Sequence, residues 1–208
     1  MSATGSPEQP SPIEAEVSAQ AEREREGQPR IYVASLPDYN AGRLHGVWLD
    51  AAHDPASLYV GIAGMLAASE EPGAEEWAIH DHDGFGQYPI SEYEPIERVS
   101  LLARGITEHG EAFAAWWSVS EPTLAGLEEL GNQFEEHYQG EWDSITDYAE
   151  HVLDELGATE ALEAVPDWLQ GYVSLNIEGF ARDLEMNGDV HTVPSRPGGV
   201  FVFDREWS

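Results

Sequence analysis

The stretch IYVASLPDYNAGRLHGVWLDAAHDPASLYVGIAGML, residues 31–66, reads as strand, loop, strand and helix. Ile31-Tyr-Val-Ala-Ser35 is rich in the β-branched and aromatic residues that suit a pleated surface. Val47-Trp-Leu49 is a second strand, after a loop closed by Gly42 and Gly46. Asp54-Pro55 starts a helix: the Asp oxygen caps free N–H groups, and Pro has no N–H to leave unpaired in the first turn. Leu58, Ile62, Met65 and Leu66 then form an apolar stripe at helical spacing. Glu76-Trp-Ala-Ile-His80 is a third strand, followed by a loop that holds Gly84 and Gly86. Together these elements predict a small α+β unit.

From Pro95 to about Gly140 the pattern is helical. Ile96, Val99 and Leu102 or Ala103 form one stripe, Phe113, Trp116 and Trp117 another, and Leu124, Leu127, Leu130 and Phe134 a third, with breaks at Pro122 and Gly131. The clearest helix runs from Ser144 to Leu156. Its hydroxyl stands three residues before Asp147, as in a capping box, and Ile145, Tyr148, Ala149, Val152, Leu153 and Leu156 keep one face apolar. Asn176 caps a further helix that Asn187-Gly188 stops, and Val190–Val193 and Val200–Phe203 form a hairpin across Arg196-Pro-Gly-Gly199.

The chain has 208 residues, 40 acids and 9 arginines, no lysine and no cysteine, for a formal charge of -31. Such a surface repels nucleic acid and anionic membranes, so direct binding to either is excluded, and basic partners are favoured. With no cysteine there are neither disulfides nor thiolate metal sites. Nothing at the N-terminus has the basic and apolar regions of a signal peptide, and no apolar run approaches the ~20 residues of a membrane span, which predicts a cytoplasmic protein. Residues 1–30 hold only Ile13 and Val17 as sizeable aliphatics and read as a disordered acidic arm. From Ile31 onward, 34 acids face 6 arginines, a net charge of -28.

The charge is not evenly spread. Between Arg104 and Arg182 there are seventeen Asp and Glu residues and no Lys or Arg. Three readings fit: a solvated face, adaptation to high salt, or imitation of a nucleic-acid backbone. At about two charges per base pair, -28 corresponds to roughly 14 bp of duplex, and a two-fold dimer to roughly 28 bp. His80-Asp81-His82-Asp83 is the one metal-like motif. Strand alternation would put the two imidazoles on one face and the two carboxylates on the other, and no second ligand cluster stands elsewhere. No phosphate loop, nucleophile elbow or HExxH is present, so neither catalytic residue nor cofactor is expected. A metal-dependent enzyme built on His80 and His82 stands as the alternative reading, beside a salt-adapted acidic protein.

Four blocks in order resemble the ArdA-type antirestriction family. They are Ile31 to Asp50; Glu75-Glu-Trp-Ala-Ile-His-Asp81 with Gly84-Phe85; Phe134-Glu-Glu-His-Tyr-Gln-Gly-Glu-Trp-Asp-Ser-Ile-Thr-Asp-Tyr-Ala149; and Ala181-Arg-Asp-Leu-Glu185 with Gly188-Asp189 and Val200-Phe-Val-Phe203. Residues 1–30 are extra to the family pattern, and residues 105–131 match it loosely. The resemblance implies a DNA mimic: an elongated, curved homodimer of small α+β and helical domains. Such a protein occupies the DNA-binding groove of type I restriction–modification enzymes, chiefly their methyltransferase core, and protects incoming mobile DNA without chemistry of its own. The division that follows is a disordered arm at 1–30, an α+β domain at 31–94, a helical middle at 95–139 and an α+β domain at 140–208. The carboxylates assigned to the partner are Glu108, Glu111, Glu121, Glu128, Glu129, Glu135, Glu136, Glu141, Asp143, Asp147, Glu150, Asp154 and Glu155. Trp116, Trp117, Tyr138 and Trp142 are the candidates for the dimer contact.

Overall fold

The computed structural model describes residues 27–123, 126–195 and 198–204. The N-terminal arm before Gly27, Leu124 on the third predicted stripe, and Arg196-Pro197 in the hairpin turn lie outside the described residues. The chain divides into two compact units: the first takes the described residues through 85 together with Ile90–Ala103, and the second takes Gly86–Pro89 and residues from Arg104 onward. The architecture is α+β, with nine helices and two three-stranded antiparallel sheets among the described residues.

In the first unit, β1 (Arg30–Ser35) is the middle strand of a sheet ordered β2-β1-β3, with β2 at Gly46–Asp50 and β3 at Trp77–Asp83. The central place explains its sequence: Ile31, Val33 and Ala34 are buried and form the centre of the core. A one-turn helix, α1 (Leu36–Asn40), follows directly, capped by the Ser35 side chain. The second helix, α2 (Pro55–Ala67), packs against β2 and β1. Asp54 caps it by accepting from the Ser57 N–H at 3.1 Å. Leu58, Ile62 and Met65 are buried as their spacing predicts, while Leu66 is only half-buried.

Asp38 is the charged group at the centre of this unit. It is buried, and its carboxylate accepts the Ser35 hydroxyl at 2.6 Å, the Ser69 hydroxyl, and Arg43 Nε and Nη2 at 3.3 and 3.2 Å. Arg43 also pairs with Glu71. The hydroxyls of Ser35 and Ser69, then Arg43, hold the Asp38 carboxyl below its ordinary range. A buried carboxylate is tolerated here because its oxygens are supplied with donors.

Apart from Gly86–Pro89, the second unit begins within α3 (Ile96–His109), whose residues from Arg104 onward belong to it. It continues through α4 (Glu111–Ser120) and α5 (Leu127–His137). Its core is aromatic: the Phe113 ring lies 5.2 Å from Trp116 and 5.4 Å from Phe134, and Phe134 stacks on Tyr138 at 5.0 Å. The chain turns between α3 and α4 at Gly110, with φ of 77°, a backbone state open to glycine. Gly131 does not break a helix as the sequence pattern suggests. It lies inside α5 and is buried, and a Cβ there would come within 3.1 Å of His109 Nε2, so it serves close packing.

Residues 138–142, which the helical pattern partly covers, form a strand instead. This is β4 (Tyr138–Trp142), in a sheet ordered β4-β6-β5 with β5 at Val190–Pro194 and β6 at Val200–Asp204. Tyr138 pairs with Phe203, and the register shifts before Gly140, whose φ is 103°. Helix α6 (Ile145–Glu155) is capped by Ser144, which accepts the Asp147 N–H at 3.2 Å. Tyr148 from α6 joins Val190 and Val202 in a second core, with Ile145, Val152 and Leu184 packed against it. Leu156 leaves the predicted stripe: the helix ends at Glu155, and the side chain is exposed. Two short helices, α7 (Ala158–Glu163) and α8 (Asp167–Gln170), then lead to α9 (Ile177–Asn187), whose Asn176 cap accepts the Gly179 N–H at 3.0 Å and whose end is turned by Gly188.

Candidate partner-binding surface

Every one of the seventeen carboxylates between Arg104 and Arg182 is exposed. Glu108 ends α3, Glu111 opens α4 and Glu121 caps its end in the left-handed conformation, with φ of 44°. Glu128, Glu129, Glu135 and Glu136 ride on α5, Glu141 on β4 and Asp143 on the bend after it. Asp147, Glu150 and Asp154 lie off the side of α6 that buries Tyr148, and Glu155 is exposed at its last residue, two turns beyond Tyr148. The thirteen residues assigned to the partner from sequence are therefore all available at the surface of one unit.

What makes this density tolerable is where the acids sit on the helices. Each of α4 to α9 has a carboxylate in its first turn: Glu111, Glu128 and Glu129, Asp147, Glu160, Asp167 and Glu178. The N-terminal turn of a helix presents unpaired N–H groups and a partial positive charge, which stabilises an anion there by typically ~0.3–1 kcal/mol. The backbone thus offsets part of the self-repulsion that no lysine or arginine in the stretch is there to offset.

The side chains that approach these acids and Asp204 are imidazoles. His109 Nδ1 lies 3.9 Å from Glu135, His151 Nε2 lies 3.6 Å from Glu155, and His137 Nδ1 lies 2.8 Å from Asp204, whose other oxygen accepts from Gln139 Nε2 at 2.8 Å. The arginine pairs belong to the first unit: Arg30–Asp83, Arg43 with Asp38 and Glu71, and Arg98–Glu94. Two tyrosines sense the acidic setting. Tyr138 is pushed up by burial and by Glu141, and Tyr148 by burial and then by Asp204 and Glu155.

The aromatic residues expected at a dimer contact fare differently. Trp116 and Trp117 are 1% and 0% exposed, so their rings are core and out of reach of a second chain. Tyr138 is half-buried against Phe134, and Trp142 is half-buried with its Nε1 donating to the Gln139 carbonyl at 2.9 Å and its ring edge-on to Tyr148. The exposed large apolar residues of this unit are others: Leu156, Trp168, Tyr172, Val173, Leu175 and Met186. Sequence reasoning missed Trp168, Tyr172, Val173 and Leu175 because residues 157–176 keep no helical or strand period. The absence of period was itself the signal, since a segment with aromatic residues but no buried face leaves them on the surface.

The His80 motif is rearranged by a bulge. Tyr32 pairs with Asp81 and Val33 with Ile79, which leaves His80 as the extra residue and interrupts the expected alternation. His80 meets the Tyr39 ring edge-on at 4.9 Å, while His82 Nε2 accepts the Ile90 N–H at 3.3 Å. The two imidazoles thus serve different neighbours. Among the described residues, no group of three or more His, Cys, Asp or Glu side chains is arranged to hold a metal ion.

Residues 31–196 match the family described as antirestriction protein (ArdA). The chain belongs to the ArdA antirestriction family. No curated protein matches it. The ArdA match contains the whole arginine-free stretch and its seventeen exposed carboxylates, and it leaves the N-terminal arm outside. Among the described residues of this ArdA protein, no helix is long and apolar enough to cross a membrane.

Proposed function

We propose that this ArdA protein inhibits type I restriction–modification enzymes by occupying their DNA-binding groove in place of DNA. The carboxylates from Glu108 to Glu155 stand in for phosphates and meet the lysines and arginines that line such a groove. One observation supports this above all: seventeen carboxylates, every one exposed, share a stretch with no Lys or Arg. A surface kept at one sign over that length suits a partner of the opposite sign. In this reading the chain acts in the bacterial cytoplasm as an elongated, curved homodimer, divided near residues 31–94, 95–139 and 140–208, and makes or breaks no covalent bond. It contacts chiefly the methyltransferase core and so shields incoming mobile DNA.

The test is a competition assay. A labelled duplex is bound to a type I methyltransferase, and the chain is titrated in at several salt concentrations. Displacement should follow simple competition and weaken with salt as DNA binding does, by on the order of 10³–10⁵-fold between about 50 and about 200 mM for 6–10 contacts. Non-competitive inhibition, or affinity indifferent to salt, overturns the reading.

A further inference from the structure

The motif His80-Asp81-His82-Asp83 lies in the first unit, outside the arginine-free stretch. Its last carboxylate is occupied, since Asp83 pairs with Arg30 at 3.0 Å. The other three residues line an open hollow of about 530 Å³ together with Tyr39, Ile79, Ile90 and Glu92. Two features of β3 open it. The bulge makes His80 the extra residue, which takes its side chain out of the strand's alternation and sets it against Tyr39. The chain from Ile90 to Glu92 runs beside β3, and its two ties to the strand differ in reach. The Ile79 N–H donates to the Glu92 carbonyl at 2.9 Å, whereas the Ile90 N–H donates to His82 Nε2 at 3.3 Å. The first tie joins backbone to backbone, and the second has an imidazole between the two chains. Strand and segment therefore diverge, and the hollow lies in the gap.

The lining suits one chemistry. Among the described residues it holds two carboxylates, Asp81 and Glu92, and no Lys or Arg. Glu92 Oε1 stands 4.0 Å from His80 Nε2, too far for a hydrogen bond and near enough for one donor group to reach both. With its proton on Nδ1, His80 offers Nε2 as an acceptor. The Tyr39 ring meets the His80 ring edge-on at 4.9 Å and is 57% exposed, so much of its surface stays open. A carboxylate, a ring nitrogen and an aromatic surface thus converge on one space. A guanidinium answers all three, because it is always charged, carries its N–H donors in a planar fork and stacks on aromatic rings. An ammonium is a compact, strongly hydrated point charge and answers only the first.

We propose that this hollow holds the side chain of an arginine of the partner, with Glu92 as its anion and Tyr39 as its stacking surface. That the arginine comes from a basic groove rests on the function proposed above; the preference of the hollow for a guanidinium does not. The first unit then supplies a shaped contact where the second supplies spread charge.

The test is a titration of the isotope-labelled full chain with Nα-acetyl-arginine amide, at about 150 mM salt so that loose ion pairing beyond ~8 Å is screened. The amide signals of His80, Asp81 and Glu92 should shift along one saturable curve. Nα-acetyl-lysine amide should bind several-fold more weakly. Glu92→Gln and Tyr39→Leu, both at exposed positions, should each weaken the arginine derivative several-fold with the circular dichroism unchanged, and Tyr39→Phe, which keeps the ring, should retain it. Shifts spread evenly over the carboxylates of both units, or shifts that Glu92→Gln leaves unchanged, overturn the proposal, as does equal affinity for the two derivatives. No restriction enzyme takes part, so such a failure leaves the competition with duplex DNA untouched, and a failed competition leaves this site standing.

Discussion

Gly105 and Phe113 share one space: a Cβ placed on Gly105 would stand 2.1 Å from the Phe113 ring. The buried ring of Phe113 also touches Trp116, Trp117 and Phe134, so it has nowhere to retreat. Gly105→Ala should therefore destabilise by overpacking, about 1–3 kcal/mol. Phe113→Ala should cost about 3–5 kcal/mol through the cavity it leaves. Combining Gly105→Ala with Phe113→Ala should cost less than the sum of the two single changes, because both act on one contact. Urea unfolding midpoints of the four proteins check this, and strict additivity would contradict the shared space.

The carboxylates should act as a set. Single neutralisations such as Glu136→Gln should change competition with duplex DNA little, because exposed pairs are worth typically ~0.2–1 kcal/mol. Changing Glu135, Glu136, Glu141 and Asp143 together to their amides should weaken competition by the sum of four such terms and make its salt dependence shallower. Loss of inhibition from one neutralisation, with the fold intact, would contradict a distributed contact.

The Asp38 network sets an acid limit on the first unit. Its carboxyl is held below the ordinary range by the Ser35 and Ser69 hydroxyls and Arg43. A depressed pKa means that the contribution is fully present above the unfolded value near ~3.9 and is lost as pH falls through the lower folded value. Asp38→Asn should therefore lower the urea midpoint at pH 7. The gap to the parent protein should narrow below about pH 4. A gap that stays constant down to pH 2 would show that shape and not charge sets the effect.

The exposed and buried tryptophans should part company. Trp116→Ala should destabilise by about 3–5 kcal/mol, as a large buried side chain does. Trp168→Ala, at a side chain 74% exposed, should stay within about 0.5 kcal/mol. Thermal melts of both variants at one protein concentration decide the matter, and a large loss for Trp168→Ala would mean that its ring is covered in solution.

Much of this architecture is legible where a residue's reason is local. Asp54, Ser144 and Asn176 accept N–H groups at the helix starts that their sequence context predicts, and Gly188 ends α9 in the left-handed conformation. The exposure of the acids follows from the same patterns, since an apolar stripe fixes which side of a helix faces out. What escapes is set by partners distant in sequence. Tyr138 continues the spacing of Phe134 and could extend α5, but pairing with Phe203 makes it a strand residue. The bulge at His80 depends on the register against Val33. Adjacent residues on a helix differ by about 100° in direction, so of Trp116 and Trp117 one would ordinarily face outward. Both are buried because α4 is enclosed on several sides, which its own sequence states only through the lack of charge from Ala112 to Ser120.

The carboxylates that open α4 to α9 sit at the positive ends of their helices, in a stretch with no lysine or arginine. Peptide N–H groups cannot swing away, be exchanged or compete for position. A cationic side chain arriving from outside therefore finds no lysine or arginine within the stretch to displace.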